Sequence, residues 1–195
     1  MIALTYDDGP ELFWTARMLK ELDRGGIKAT FFVQARRAVS MPDQIEQMVK
    51  SGHEVGFHCL EHTRHSAMNE EQIEADVTDG LDLLEFVGVR PKAWRTPWGI
   101  VTDATRRVAD RHGLELHGWT LDTHDWRGDS AAVMFDSITQ GKGLVDGDVI
   151  LMHDGIGPGA RREGSDQTLK LTTRLIELTS GLGIETGSVS QVALA

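Results

Sequence analysis

Two adjacent aspartates, Asp7 and Asp8, stand just before Gly9-Pro10, and two histidines, His58 and His62, stand four positions apart. One carboxylate and two imidazoles offer an oxygen and two nitrogens to a divalent cation and leave a coordination position for water. Hydrolytic zinc sites are built this way, with the metal lowering the pKa of that water toward ~7. The second aspartate is then available as a general base, although the residues alone do not divide the two parts between Asp7 and Asp8. If the segment from His58 turns helically, the spacing of four sets both imidazoles on one face. Cys59, between them, is a lesser candidate for a fourth donor. Non-haem iron oxygenases use the same donor set, but there the aspartate lies close to the first histidine; here it lies far upstream in an alternating strand–helix pattern.

Three more residues fit the same chemistry. Arg95 is suited to hold the base ionised through a bidentate ion pair. His153 is a candidate general acid, with Asp125 to orient it and raise its pKa. Trp98 and Trp126 suit a sugar face or an acyl methyl. His53, His65, His112, His117 and His124 read as surface or structural residues.

Every one of these groups needs an element to carry it to a common place. Ile2-Ala3-Leu4 reads as a core strand stopped by Gly9-Pro10, because proline has no N–H for a ladder. Leu12, Ala16, Leu19 and Leu22 recur at helical spacing before Gly25-Gly26. Ala29–Val33 is a second strand. Pro42 opens a helix through Ile45, Met48 and Val49 that Gly52 closes. Glu54–Phe57 is a third strand. Asn69 with Gln72 forms a capping box for a helix through Ile73, Val77, Leu81 and Leu84. Ala93-Trp94 is a fourth strand, Thr102–His112 a helix, Glu115–Leu121 a fifth strand, Ser130–Gln140 a helix and Asp148–Met152 a sixth strand. The glycine-rich stretch Gly155–Ser165 reads as a mobile surface loop, or as a lid over the substrate. Leu169–Leu182 is the last helix, and Ile184–Thr186 a seventh strand.

Strand and helix alternate throughout, which means a parallel sheet with crossover helices. Polar clusters follow the first, third, fourth, fifth and sixth strands. In closed β/α barrels that end of the strands carries the chemistry, so all the candidate residues converge on one mouth.

The 195 residues suit one domain, residues 1–195, without internal repeats. A net charge of -10 argues against nucleic acid and other polyanions and favours a neutral or cationic substrate. A single cysteine excludes an intrachain disulfide. No apolar run approaches the ~20 residues needed to span a bilayer. With no signal peptide the chain reads as cytoplasmic, or as secreted if a leader was trimmed. No protein partner is evident.

In order, the chain presents Thr5-Tyr6-Asp7-Asp8-Gly9-Pro10, His58 with His62, Arg95-Thr96-Pro97-Trp98, Asp122-Thr123-His124-Asp125-Trp126 and Leu151-Met152-His153-Asp154. This ordered set resembles the polysaccharide deacetylases with a NodB-homology domain, carbohydrate esterase family four, over nearly the whole length. The resemblance implies an α/β distorted (β/α)7 barrel with one divalent metal, usually Zn2+, with Co2+ or Ni2+ as substitutes. It implies Asp8, His58 and His62 as ligands, Asp7 as general base held by Arg95, and His153 as general acid tuned by Asp125. It further implies the Trp98 N–H as an oxyanion donor, Leu151 and Trp126 around the acetyl methyl, and Pro97 with Trp98 on the substrate side. Two departures stand out: Cys59 replaces a usual Ser or Thr after the first histidine, suggesting looser support of that loop, and Thr63 replaces a common proline.

The expected function is metal-dependent removal of an N-acetyl group, or an O-acetyl group, from an amino sugar or polysaccharide, releasing acetate. An allantoinase-like amidohydrolase of a small non-sugar amide or ureide is the alternative on the same fold. A non-catalytic carbohydrate-binding module would need neither Asp7 nor His153.

Overall fold

The computed structural model describes residues 1–192. Eight parallel strands form one curled sheet in the order β5-β4-β3-β2-β1-β7-β6. They are β1 (Ile2–Asp7), β2 (Thr30–Gln34), β3 (Glu54–Cys59), β4 (Ala93–Trp94), β5 (Glu115–Leu116), β6 (Leu121–Asp122), β7 (Val149–His153) and β8 (Thr186–Gly187). β8 pairs with Ile2 and Ala3 of β1, below the point where β2 begins to pair with that strand at Thr5. Helices α1 (Trp14–Gly25), α2 (Ala35–Ser40), α3 (Pro42–Lys50), α4 (Glu70–Phe86), α5 (Asp103–His112), α6 (Ala131–Thr139), α7 (Asp166–Leu182) and α8 (Val189–Val192) accompany the strands. The result is the parallel sheet with crossover helices that the alternation predicts, curled into the distorted barrel that the resemblance implies.

Side-chain alternation along β1 divides the core in two. Ile2, Leu4 and Tyr6 face the helices in the large cluster with Leu19, Leu22 and Leu175. Ala3 joins Phe32, Ala93, Val189 and Val192 in a smaller cluster. Thr5 and Asp7 therefore continue the face of Ala3 toward the mouth. β1 runs three residues beyond the expected Leu4, so Asp7 is its last paired residue, beside Phe32 of β2 and His153 of β7.

The expected fifth strand, Glu115–Leu121, is split. β5 pairs with β4 at one edge of the sheet, and β6 pairs with β7 at the other. A single straight strand cannot reach both edges of an open arc, so residues 117–120 cross the gap. They are tied at their ends by His117 N–H to Trp94 O at 2.9 Å and Thr120 N–H to Val149 O at 2.9 Å. The buried Arg95 guanidinium fills this seam, donating through Nη2 to Gly118 O at 2.7 Å.

Several helix boundaries differ from expectation. Leu12 is 73% exposed and precedes α1, whose buried stripe is Thr15, Met18, Leu19 and Leu22. Val49 is exposed, α2 has no counterpart in the sequence reading, and α7 begins at Asp166. The Asn69–Gln72 capping box of α4 forms as predicted, with both hydrogen bonds at 2.9 Å. Among the described residues no helix is long and apolar enough to cross a membrane.

Candidate active site

Asp8 leaves β1 with φ 73°, a left-handed conformation that aspartate tolerates better than most residues. That turn brings its Oδ1 to 3.2 Å from His62 Nε2 and 3.5 Å from His58 Nε2. One ligand atom from each residue lies within 4.8 Å of the others. His58 sits in β3, and its Nδ1 lies 2.7 Å from Arg95 O. A carbonyl only accepts, so Nδ1 carries the proton and the Nε2 lone pair faces Asp8. Burial holds His58 below the ordinary histidine range although Asp7 and Asp8 push it up. A neutral imidazole lone pair opposite a carboxylate oxygen is the arrangement that an intervening cation relieves. The three residues fit a divalent cation.

The helical reading of His58 and His62 is corrected. β3 ends at Cys59, and the chain bends irregularly to His62. The bend is held by Asp76 of α4, which accepts from the N–H groups of Leu60 at 3.0 Å and Glu61 at 2.9 Å. That carboxylate supplies the support which Cys59 had seemed to weaken. Cys59 follows His58 within the strand, so its side chain takes the opposite face; among the described residues it is not in the three-residue cluster. Burial raises its thiol pKa well above the usual range.

Asp7 Oδ1 accepts from Arg95 Nη1 at 2.9 Å, and the same nitrogen donates to Thr5 Oγ1 at 2.7 Å. Arg95 is fully buried and its Cζ lies 4.2 Å from the Phe32 ring centre. Its contact with Asp7 is through one nitrogen, not the bidentate pair expected, because Nη2 is committed to the seam at Gly118.

On the far side, His153 Nδ1 lies 2.7 Å from Asp125 Oδ1, and its backbone N–H donates to Asp125 Oδ2 at 2.9 Å. Thr168 Oγ1 also donates to Oδ2, at 2.7 Å. Burial pushes the His153 pKa down, but the Asp125 carboxylate, assisted by Asp7 and Asp8, carries it up to about 9. Burial raises Asp125 in turn, and His153 with Arg162 outweighs it to leave that carboxyl low.

These groups meet in a cavity of about 370 Å³ lined by Asp7, Asp8, His58, His62, Leu151 and His153, with Trp98 and Trp126 among the remaining lining residues. Trp98 has φ 55° in a tight turn over Pro97–Gly99 and meets His62 edge-on at 4.2 Å between ring centres. Among the described residues its backbone N–H has no acceptor. Pro97 is buried in that turn and is not part of the cavity lining.

Arg64, Trp119, Asp122 and Arg162 line the cavity without having been singled out in the sequence. Arg162 has a legible origin in hindsight. It lies in the glycine-rich stretch read as a mobile loop or lid, and it fastens that stretch by donating to His153 O at 2.8 Å and Gly155 O at 3.0 Å. Gly157 packs so closely that a Cβ there would lie 2.1 Å from Asp8 Oδ2. Loop and site share one surface.

The family model for polysaccharide deacetylase matches residues 1–117. A peptidoglycan-N-acetylglucosamine deacetylase of Bacillus cereus is 32% identical over 157 residues, covering 80% of this chain and 73% of the relative. A chitooligosaccharide deacetylase of Bradyrhizobium sp. is 28% identical over 198 residues, covering 98% and 90%. Among solved structures, a family 4 acetyl xylan esterase from Clostridium thermocellum in complex with a cobalt ion superposes with TM-score 0.85 at 29% identity, covering 98% of this chain and 89% of that one.

Proposed function

The chain belongs to the polysaccharide deacetylase family, and from that membership we propose that it hydrolyses the N-acetyl amide of an amino sugar within an oligosaccharide or polysaccharide, releasing acetate. The observation that carries this reading is one cavity in which the Asp8–His58–His62 cluster faces both the Arg95-held Asp7 and the Asp125-held His153. The continuous core from α1 to α7 supports treating residues 1–195 as one domain.

Asp8, His58 and His62 would hold a divalent metal, with Zn2+ the expected ion. When bound, such a cation acidifies water and polarises a carbonyl oxygen. Asp7 takes the proton of the attacking water. Its Oδ1 is occupied by Arg95, which leaves Oδ2 to accept. Arg95 keeps the carboxylate ionised and aimed. The Trp98 N–H donates to the oxygen of the carbonyl as it gains negative charge. His153, with Nδ1 on Asp125, presents protonated Nε2 to the departing nitrogen. A pKa of about 9 keeps that proton in place at neutral pH. Leu151 and Trp126 bound the space for the acetyl methyl.

The test is acetate release from N-acetylglucosamine oligomers of increasing length by the protein as isolated, after chelation, and after zinc is restored. Release that chelation removes and zinc returns is the expected result. Metal bound one-to-one with no acetate from any oligomer would overturn the reading.

A further inference from the structure

Net charge -10 led to the expectation of a neutral or cationic substrate, but exposed arginines stand at and beside the cavity walls. Its two tryptophan walls each carry an arginine. Arg64, itself a lining residue, places its Cζ 4.1 Å from the Trp98 ring centre. Arg127 places its Cζ 5.1 Å from the Trp126 ring centre. Arg161 adjoins the second wall, its backbone N–H donating to Trp126 O at 2.8 Å. All three are exposed. Among the described residues none of the three side chains has a carboxylate within ion-pair distance or a hydrogen-bond acceptor, whereas Arg107 and Arg111 of α5, which do not line the cavity, are bound to Glu70 and Glu74.

The acidic groups that line the cavity are already engaged. Asp7 is on Arg95, Asp8 belongs to the metal cluster, and Asp122 Oδ1 accepts the His124 N–H at 2.8 Å. A guanidinium stacked on an indole is held in place with its N–H fork free, a geometry that matches a carboxylate better than a sugar hydroxyl. An overall acidic chain that keeps unneutralised arginines at its cavity creates a local field for anions.

We propose that Arg64 on the Trp98 wall and Arg127 on the Trp126 wall are specificity-determining residues that select an N-acetylated amino-sugar chain bearing carboxylates over a neutral one. This rests on the deacetylase reading and deepens it. The carboxylate belongs to an acid ether-linked to the sugar or to a peptide attached to it, and both sources present the same group to the arginines.

The experiment compares kcat/KM for acetate release on three equal-length oligomers: neutral N-acetylglucosamine, one alternating with a lactyl-ether amino sugar, and that second oligomer carrying a short acidic peptide. A fourth has every carboxylate amidated. The carboxylated oligomers are expected to exceed the neutral one, with the advantage lost on amidation and compressed by salt. Preference for the peptide-bearing oligomer alone assigns the carboxylate to the peptide; preference for both assigns it to the ether. Arg64→Gln and Arg127→Gln should each lower the carboxylated-to-neutral ratio about threefold, the scale of one exposed ion pair, and together by about tenfold. Arg64→Lys should retain part of the ratio. Equal or better turnover of the neutral oligomer, or a ratio unchanged in the double variant, overturns the proposal while leaving deacetylation intact. No acetate from any oligomer would instead overturn the function beneath it.

Discussion

Asp7 and His153 are lateral partners in the β1–β7 ladder, each the last residue of its strand. Register partners on parallel strands point to the same face, so the proton acceptor and the proton donor of the proposed reaction are set side by side by backbone pairing. Each is then held by a separate buried partner, Asp7 by Arg95 and His153 by Asp125.

Asp7→Asn keeps the Arg95 contact but removes the proton acceptor. Turnover should fall by about 10²–10⁴-fold with bound metal unchanged, read by acetate release together with metal analysis. Retained activity would reject Asp7 as the base.

Asp125→Asn should move the alkaline limb of the kcat/KM profile down from about 9 toward the ordinary histidine value, because its carboxylate is the chief influence raising His153. The stability linkage has a definite sign. A pKa raised on folding contributes stability that is fully present below the unfolded histidine pKa of about 6.5 and is lost as pH rises through about 9. Denaturation midpoints of the wild type should therefore decline between those limits, and the variant should show less of that decline.

Arg95→Met should destabilise the protein by about 3–5 kcal/mol, because it strands the buried Asp7 carboxylate and the seam carbonyl of Gly118 together. Denaturant titration checks this. Arg95→Met combined with Asp7→Asn should recover part of the loss, since the stranded charge is then gone.

Gly157→Ala should weaken zinc binding by about tenfold or more, since the new methyl would overlap the Asp8 carboxylate that supports the cluster. Competition with a chromogenic chelator measures it. Gly181→Ala, in α7 with no atom within 4 Å of the added carbon, is the control expected to bind metal as the wild type does.

Much of this was legible because five of the seven expected strands end on a polar run, so chain order alone brings Asp7, His58, Arg95, Asp125 and His153 to one mouth. What escaped reading was non-local. Glu115–Leu121 looks like one strand, and only the curvature of the whole sheet divides it between two edges. The roles proposed for Asp7 and Asp8 rest on a difference in backbone conformation, one in a strand and the other at φ 73°, which side-chain type does not report. Net charge averaged away the exposed arginines around Trp98 and Trp126. Asp76, which braces the His62 bend, sits among many acidic residues of α4 and looks like its neighbours until the fold presents it to two N–H groups.

The crossing at residues 117–120 gives the ring an expansion joint. Every other neighbouring pair of strands in the ring is joined by a ladder, whereas this gap is bridged by a short length of chain and one guanidinium. Fluctuations that widen the barrel should concentrate there, and amide exchange should be faster at Gly118 and Trp119 than along β1. Arg95 contacts both the joint and Asp7, so an opening there should be felt at the proposed base. Pinning the joint at Gly118, which does not line the cavity, would stiffen the site from beside it.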